Sequence, residues 1–93
     1  AFLCANDQLA AGAMKFASEN GISIPGDIAI VGIDNTDMAS LLHPTLTSVD
    51  LKAEERGEIA AQLMLDRLAN PDRASKRITV EPKLVIREST AKK

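Results

Sequence analysis

Pro25-Gly26-Asp27-Ile28-Ala29-Ile30-Val31-Gly32-Ile33-Asp34-Asn35-Thr36-Asp37 is the stretch that decides the fold. Its apolar run, rich in β-branched residues and bounded by turn formers on both sides, reads as a strand from Ile28 to Ile33. The run does not alternate between apolar and polar, so both faces are expected to be covered, as in the parallel sheet of an α/β protein. Such sheets bind ligands beyond the carboxyl ends of their strands. Asp34, Asn35 and Thr36 therefore stand where binding or chemistry is expected.

Upstream, Ala1 to Ala5 reads as a first buried strand. Asn6 and Asp7 follow at once, and both residue types cap helices by accepting a bond from free backbone N–H groups. A helix is expected from about Gln8 to Asn20, with Leu9, Ala13, Phe16 and Ala17 on its buried face and Ala10 and Met14 widening the stripe. Gly21 supplies the left-handed position that ends it. Downstream, residues 36–42 suit one or two helical turns, and His43-Pro44 breaks them because a residue before proline leaves the helical region. Thr45 to Leu51 reads as a third extended segment. Asp50 is placed to cap a second long helix, Lys52 to Ala69, whose expected buried stripe is Ala53, Gly57, Ala60, Ala61, Met64 and Leu68. Ile78 to Val80 and Lys83 to Arg87 read as two further strands. The order predicts an α/β fold with a parallel sheet flanked by helices and right-handed crossovers.

Composition narrows the function. Ninety-three residues make at most one small domain, fewer than a sheet covered on both faces usually needs. The opening apolar run without a leader is expected to belong to a longer protein. With 2% aromatic residues, the core must be aliphatic and the stacking side chains that hold single-stranded nucleic acid are missing. Eleven basic and thirteen acidic residues give a net charge of -2, which is no cationic footprint for nucleic acid. One cysteine, Cys4, cannot form an internal disulfide and is compatible with a reducing cytoplasmic setting. No apolar run approaches the roughly 20 residues that cross a bilayer.

Enzyme motifs are absent. There is no Gly-x-Gly-x-x-Gly, no phosphate-binding loop and no Gly-x-Ser-x-Gly elbow. His43 and Cys4 make no nucleophile–base pair, and no metal-ligand spacing occurs. Asp7 and Asp34 superficially suit a phosphoryl-accepting receiver, but Lys83 precedes its strand instead of following it. What remains is two polar clusters at strand ends, Asn6-Asp7-Gln8 and Asp34-Asn35. Neighbouring parallel strands would bring Asn6 and Asp34 to one edge, and an amide beside a carboxylate can bond vicinal hydroxyls as sugar recognition requires. A helix cap for Asn6 or Asp7, and a loop carboxylate met by backbone N–H groups for Asp34, are the plainer readings.

Four segments together carry a resemblance: Ala5-Asn6-Asp7-Gln8-Leu9-Ala10-Ala11-Gly12-Ala13, Ile24 through Asp34, Pro44-Thr45-Leu46-Thr47-Ser48-Val49 and Leu84-Val85-Ile86-Arg87-Glu88-Ser89-Thr90. In this order and spacing the chain resembles the carboxy-terminal part of the lactose-repressor/galactose-repressor (LacI/GalR) family. The resemblance implies a partial periplasmic-binding-protein-like fold of type I, in which two α/β subdomains clasp a sugar or nucleobase. Residues 1–49 and 84–90 would belong to the second subdomain, and 50–80 would return to the first. Asp34 and Asn6 match ligand contacts of the family, with Gln8 a weaker candidate. No cofactor and no enzymatic activity are implied. Dimerisation is expected through the Gln8–Asn20 helix and the Met38–Pro44 segment, which would account for Ala10, Ala11 and Gly12 on a solvent-side face; packing of Gly12 on the sheet is the other reading. DNA would be bound only by a headpiece outside this chain, in the cytoplasm. The family's aromatic after the motif glycine is Ile33 here, so ring stacking at that position is not expected. A sugar-binding protein of a transport system shares the fold and is the competing reading.

Overall fold

The structure, a computed structural model, describes residues 1–91. Ile30–Ile33 forms the central strand because its β-branched residues fit a pleated surface and its neighbours on both sides are extended. Phe2–Leu3 (β1) pairs with it in parallel, matching Phe2 to Ile30 and Leu3 to Val31. With Ile30–Ile33 as β2, Thr47–Asp50 (β3) pairs in parallel on its other side, matching Val31 to Thr47 and Ile33 to Val49. Lys83–Val85 (β4) closes the order β1-β2-β3-β4 as an antiparallel edge, matching Val49 to Leu84. The sheet is therefore parallel except at its last pair. Ile78 to Val80 forms no strand, since among the described residues no other strand lies beside it to complete a ladder.

Helix α1 (Asp7–Glu19) starts where Asn6 Oδ1 accepts from the Leu9 N–H at 2.8 Å. It ends at Asn20, with Gly21 at φ 68° taking the left-handed position. Its buried face is Asp7, Ala10, Met14 and Ala17, not the stripe centred on Leu9 and Phe16. Leu9 is 58% exposed and Phe16 63%. The helix is turned so that the Asp7 carboxylate reaches the sheet, and this places Ala10, Met14 and Ala17 rather than Leu9 and Phe16 against it. Ala10 lies inward, contrary to the solvent-side position expected for it, while a Cβ on Gly12 would meet open space. Gly12 does not pack on the sheet.

A short helix α2 (Asp37–Leu41) follows β2 and contributes Ala39 to the core. The core is small: Ala10, Met14, Ile30, Ala39 and Leu46, with Cys4, Ala13, Ile24 and Leu42 packed at its margin. Burying Leu46 and Ile30 contributes about 1.5–3 kcal/mol each. Ser89 adds a polar pin where the β2–β3 ladder has not yet begun. Its hydroxyl donates to the Ile30 carbonyl at 2.6 Å and accepts from the Thr47 N–H at 2.8 Å, with the side chain fully buried.

Helix α3 (Ala53–Ala69) buries no residue. The expected stripe from Ala53 to Leu68 is exposed because no strand packs on it; Met64 and Leu68 are 60% and 68% exposed. Its cover is the irregular segment 73–80, anchored by Arg73, whose guanidinium donates to the Leu63 carbonyl and pairs with Asp66. Ile59 and Leu63 are half-buried beneath that segment. The helix begins at Lys52, in the left-handed region at φ 56°, and has no side-chain cap. Asp50 instead accepts from the Lys52 N–H at 2.8 Å, forming the turn before the helix. The radius of gyration is 17.9 Å, against about 12 Å for a compact chain of this length. The excess is the projecting α3.

Gly32 in β2 faces Asp7. A Cβ there would collide with the Asp7 carboxylate and come within 3.0 Å of a Leu46 methyl and 3.3 Å of the Asp7 Cα. Gly32→Ala is expected to destabilise the intact protein by about 1–3 kcal/mol through overpacking, read as a lower urea midpoint at unchanged slope. An unchanged midpoint would mean that α1 can move off the sheet without cost.

Candidate functional site

The β1–β2 register brings two polar positions level with each other. Asn6 lies as many residues beyond Leu3 as Asp34 lies beyond its partner Val31. Asp34 also follows Ile33, the partner of Val49, so Asp50 falls at the same sheet edge. Gln8 stands exposed on the first turn of α1, and Asp34 is exposed at the end of β2. The edge is an open ledge carrying an amide, two carboxylates and a second amide.

The four side chains are not equivalent. Asn6 Oδ1 is committed to capping α1, and among the described residues nothing accepts from its Nδ2. Asp50 uses one carboxylate oxygen on the Lys52 N–H. Gln8 makes no side-chain hydrogen bond among the described residues. Asp34 is different in kind. Its backbone sits at φ 106°, a region that non-glycine residues rarely adopt. Its N–H donates to the Val49 carbonyl at 2.9 Å, yet no described residue bonds its carboxylate. The backbone N–H groups expected to satisfy this carboxylate in the plainer reading do not reach it.

The loop that holds Asp34 is tied from several directions. The Asn35 N–H donates to Ser48 Oγ at 2.9 Å, with Asn35 itself at φ 50°. The Thr36 N–H and hydroxyl donate to Asp7 Oδ2 at 2.7 and 2.8 Å. The Ser48 hydroxyl donates to Asp7 Oδ1 at 2.6 Å. Asp7 is therefore neither the cap of α1 nor a ligand group: it is 1% exposed and fully engaged. Arg87, half-buried, donates to Asn35 Oδ1 and to the Leu46 carbonyl, both at 2.8 Å. Backbone strain of this kind persists where the surroundings over-determine it, and it clusters at functional sites. The roles of Thr36, Ser48 and Arg87 were not visible in the sequence, because their partners are far away in the chain. Asp50 carried a signal, as an acidic residue ending an extended segment, but that signal was equally that of a helix cap.

Among the described residues no cluster of His, Cys, Asp and Glu could hold a metal, and no helix is long and apolar enough to cross a membrane.

The family model for a periplasmic binding protein-like domain matches residues 1–90. The HTH-type transcriptional repressor PurR of Proteus mirabilis is 41% identical over 91 residues, which are 98% of this chain and 27% of that protein. A LacI family transcriptional regulator from Enterococcus faecium, solved with bound ribose, superposes with a TM-score of 0.86 at 36% identity, covering 96% of this chain and 33% of that one. The lac repressor dimer bound to operator and the anti-inducer ONPF superposes with a TM-score of 0.85 at 32% identity, covering 95% and 30%. The chain thus spans about a quarter to a third of the relatives it matches.

The strained backbone at Asp34 generates a test that separates folding from binding. Asp34→Gly, which tolerates the positive φ, is expected to leave stability unchanged or raise it by up to about 1 kcal/mol in chemical denaturation. Loss of ligand binding in the same stable variant would mark the carboxylate as a contact. A destabilised Asp34→Gly would show that the carboxylate serves the fold.

Proposed function

The chain belongs to the periplasmic binding protein-like domain family, as part of the effector-binding domain of a LacI/GalR-type regulator, and from that premise we propose that it supplies one wall of the effector cleft of a DNA-binding transcriptional repressor. The observation that carries the reading is Asp34: a carboxylate held on strained backbone at the carboxyl end of a central strand, with no bond to a described residue. A free carboxylate fixed in place accepts from hydroxyl or ring N–H groups without reorganising. Asn6 Nδ2 supplies a donor beside it, and Gln8 reaches the same ledge from the first turn of α1. The ligand class is a hydroxyl-bearing sugar, with a nucleobase the narrower alternative. Relatives described as repressors and regulators support this reading over a solute-binding protein of a transport system, and over an enzyme.

In this reading residues 1–49 and 84–90 form the second subdomain of the cleft, and 50–80 return to the first. The burial pattern supports the division, since α3 contributes nothing to the core beside the sheet. Effector binding biases the closure of the two subdomains, and only a difference in affinity between open and closed states can alter operator binding. DNA is contacted by a headpiece beyond this chain, which places the protein in the cytoplasm. A homodimer forms through the α1 helix and the Met38–Pro44 segment. Leu9, Phe16 and Leu41, 58%, 63% and 74% exposed, supply apolar surface on those elements, and the open side of Gly12 permits close approach.

A thermal-shift screen of the intact protein against sugars, nucleosides and nucleobases, with Asp34→Ala in parallel, tests the site. A ligand at a hundredfold its Kd stabilises by about 2.7 kcal/mol. The shift is expected for wild type and absent from Asp34→Ala, whose own melting temperature should barely move; an equal shift in both removes Asp34 from the site. Separately, Phe16→Glu is expected to convert the dimer to monomer in sedimentation equilibrium with its circular dichroism preserved. A dimer that survives the charge lies elsewhere.

A further inference from the structure

Arg87 bridges the segment that follows β4 and the loop that carries Asp34. Its two bonds, to Asn35 Oδ1 and to the Leu46 carbonyl, both go to uncharged oxygens at 2.8 Å. A half-buried guanidinium used in this way fixes geometry, because its planar fork addresses two acceptors at once. The residue it holds, Asn35, is itself in the left-handed region at φ 50° and is bonded through its N–H to Ser48. Asp34, the residue before it, has no side-chain bond to a described residue. The setting of its carboxylate is therefore determined by its own N–H bond to the Val49 carbonyl and by what holds Asn35.

Arg87 is itself held. Its N–H donates to Thr47 Oγ1 at 2.8 Å, and the same Thr47 hydroxyl donates back to the Arg87 carbonyl at 3.1 Å. Thr47 is 1% exposed. The guanidinium thus extends from a fixed backbone, two residues after β4, across the start of β3 to the effector loop. β4 is the strand by which the chain returns from α3 to the sheet.

We propose that Arg87 is a positioning residue for the effector site, setting the Asp34 carboxylate through Asn35 and transmitting to it the placement of the returning strand. The proposal rests on the reading of Asp34 as a ligand contact. Lysine cannot replace it, since a single ammonium does not span both acceptors in the same plane.

The test uses the intact protein with D-ribose as probe and compares wild type, Arg87→Lys, Asn35→Gly and the double variant. Asn35→Gly tolerates the left-handed backbone and removes the acceptor along with the rest of the side chain, so it tests the bond even where Arg87→Lys folds poorly. Calorimetric affinity for D-ribose, melting temperature and hydrogen exchange at the Asn35 and Thr36 amides are measured together. Each single variant is expected to bind about tenfold more weakly. The double variant should be no weaker than either, since one bond is lost in all three, and amide exchange in the loop should rise while the rest of the sheet stays protected. A merely structural Arg87 would lower the melting temperature and leave the affinity of the folded protein unchanged; that result, or additive losses in the double variant, overturns the proposal. If wild type binds no D-ribose, the sugar reading of the site fails for this probe, and loop exchange alone decides: faster in Arg87→Lys supports positioning, unchanged overturns it.

Discussion

The structure depends on one buried carboxylate. Asp7 opens α1, yet its side chain serves the sheet, accepting from the Ser48 hydroxyl of β3 and from the N–H and hydroxyl of Thr36 after β2. A carboxylate buried to 1% exposure is tolerable only where hydrogen bonds replace its water, and here three do. Removing any one donor leaves part of the carboxylate's hydrogen-bonding capacity unsatisfied in the interior, so the three elements are tied to a common point. The same requirement explains Gly32. The carboxylate occupies the space where a Cβ would stand, so the strand must be bare at that position for the helix to come close enough.

Two consequences reach the carboxyl edge of the sheet. With Thr36 fixed by α1 and Asn35 fixed by Ser48 and Arg87, the chain between β2 and α2 has no freedom to relax, and Asp34 is left at φ 106°. Satisfaction of the buried groups thus produces both the strain and the unbonded carboxylate. Asn6 shows the opposite arrangement, a relaxed cap with one polar atom over. A ledge built from one strained and one relaxed residue has its rigidity concentrated at Asp34.

The α/β order, the central strand and the polar strand ends could be read from sequence because they rest on local signals: the β-branched run Ile28 to Ile33, the cap residue Asn6, and the break at His43-Pro44. The placement of Asn6 and Asp34 at one edge follows from strand adjacency alone. Three features could not be read in this way. The rotation of α1 is set by Asp7 finding partners 29 and 41 residues away, and it overrides the larger apolar area of Leu9 and Phe16. Periodicity in α3 announces an apolar face but not whether a sheet covers it. The Ile78 to Val80 run has strand propensity without a neighbour to pair with. Local pattern identifies elements; the pairing of distant polar groups decides how they are turned.

The antiparallel pairing of β3 with β4 gives the edge its mechanical sense. Chain leaving the sheet for α3 passes through Asp50 and Lys52, and chain coming back passes through Lys83, so the match of Asp50 to Lys83 binds departure and return into one ribbon. Any displacement of α3 relative to the sheet must bend or slide that ribbon. One of its strands receives the Asp34 N–H at Val49, and the other leads directly into Arg87, which holds Asn35. The backbone that carries the carboxylate is thus tied, at Asp34 and at Asn35, to the segments through which the projecting helix is attached. On the outgoing side only Leu51 and Lys52 separate the ribbon from the helix, so displacement of α3 reaches Asp34 most directly through Val49.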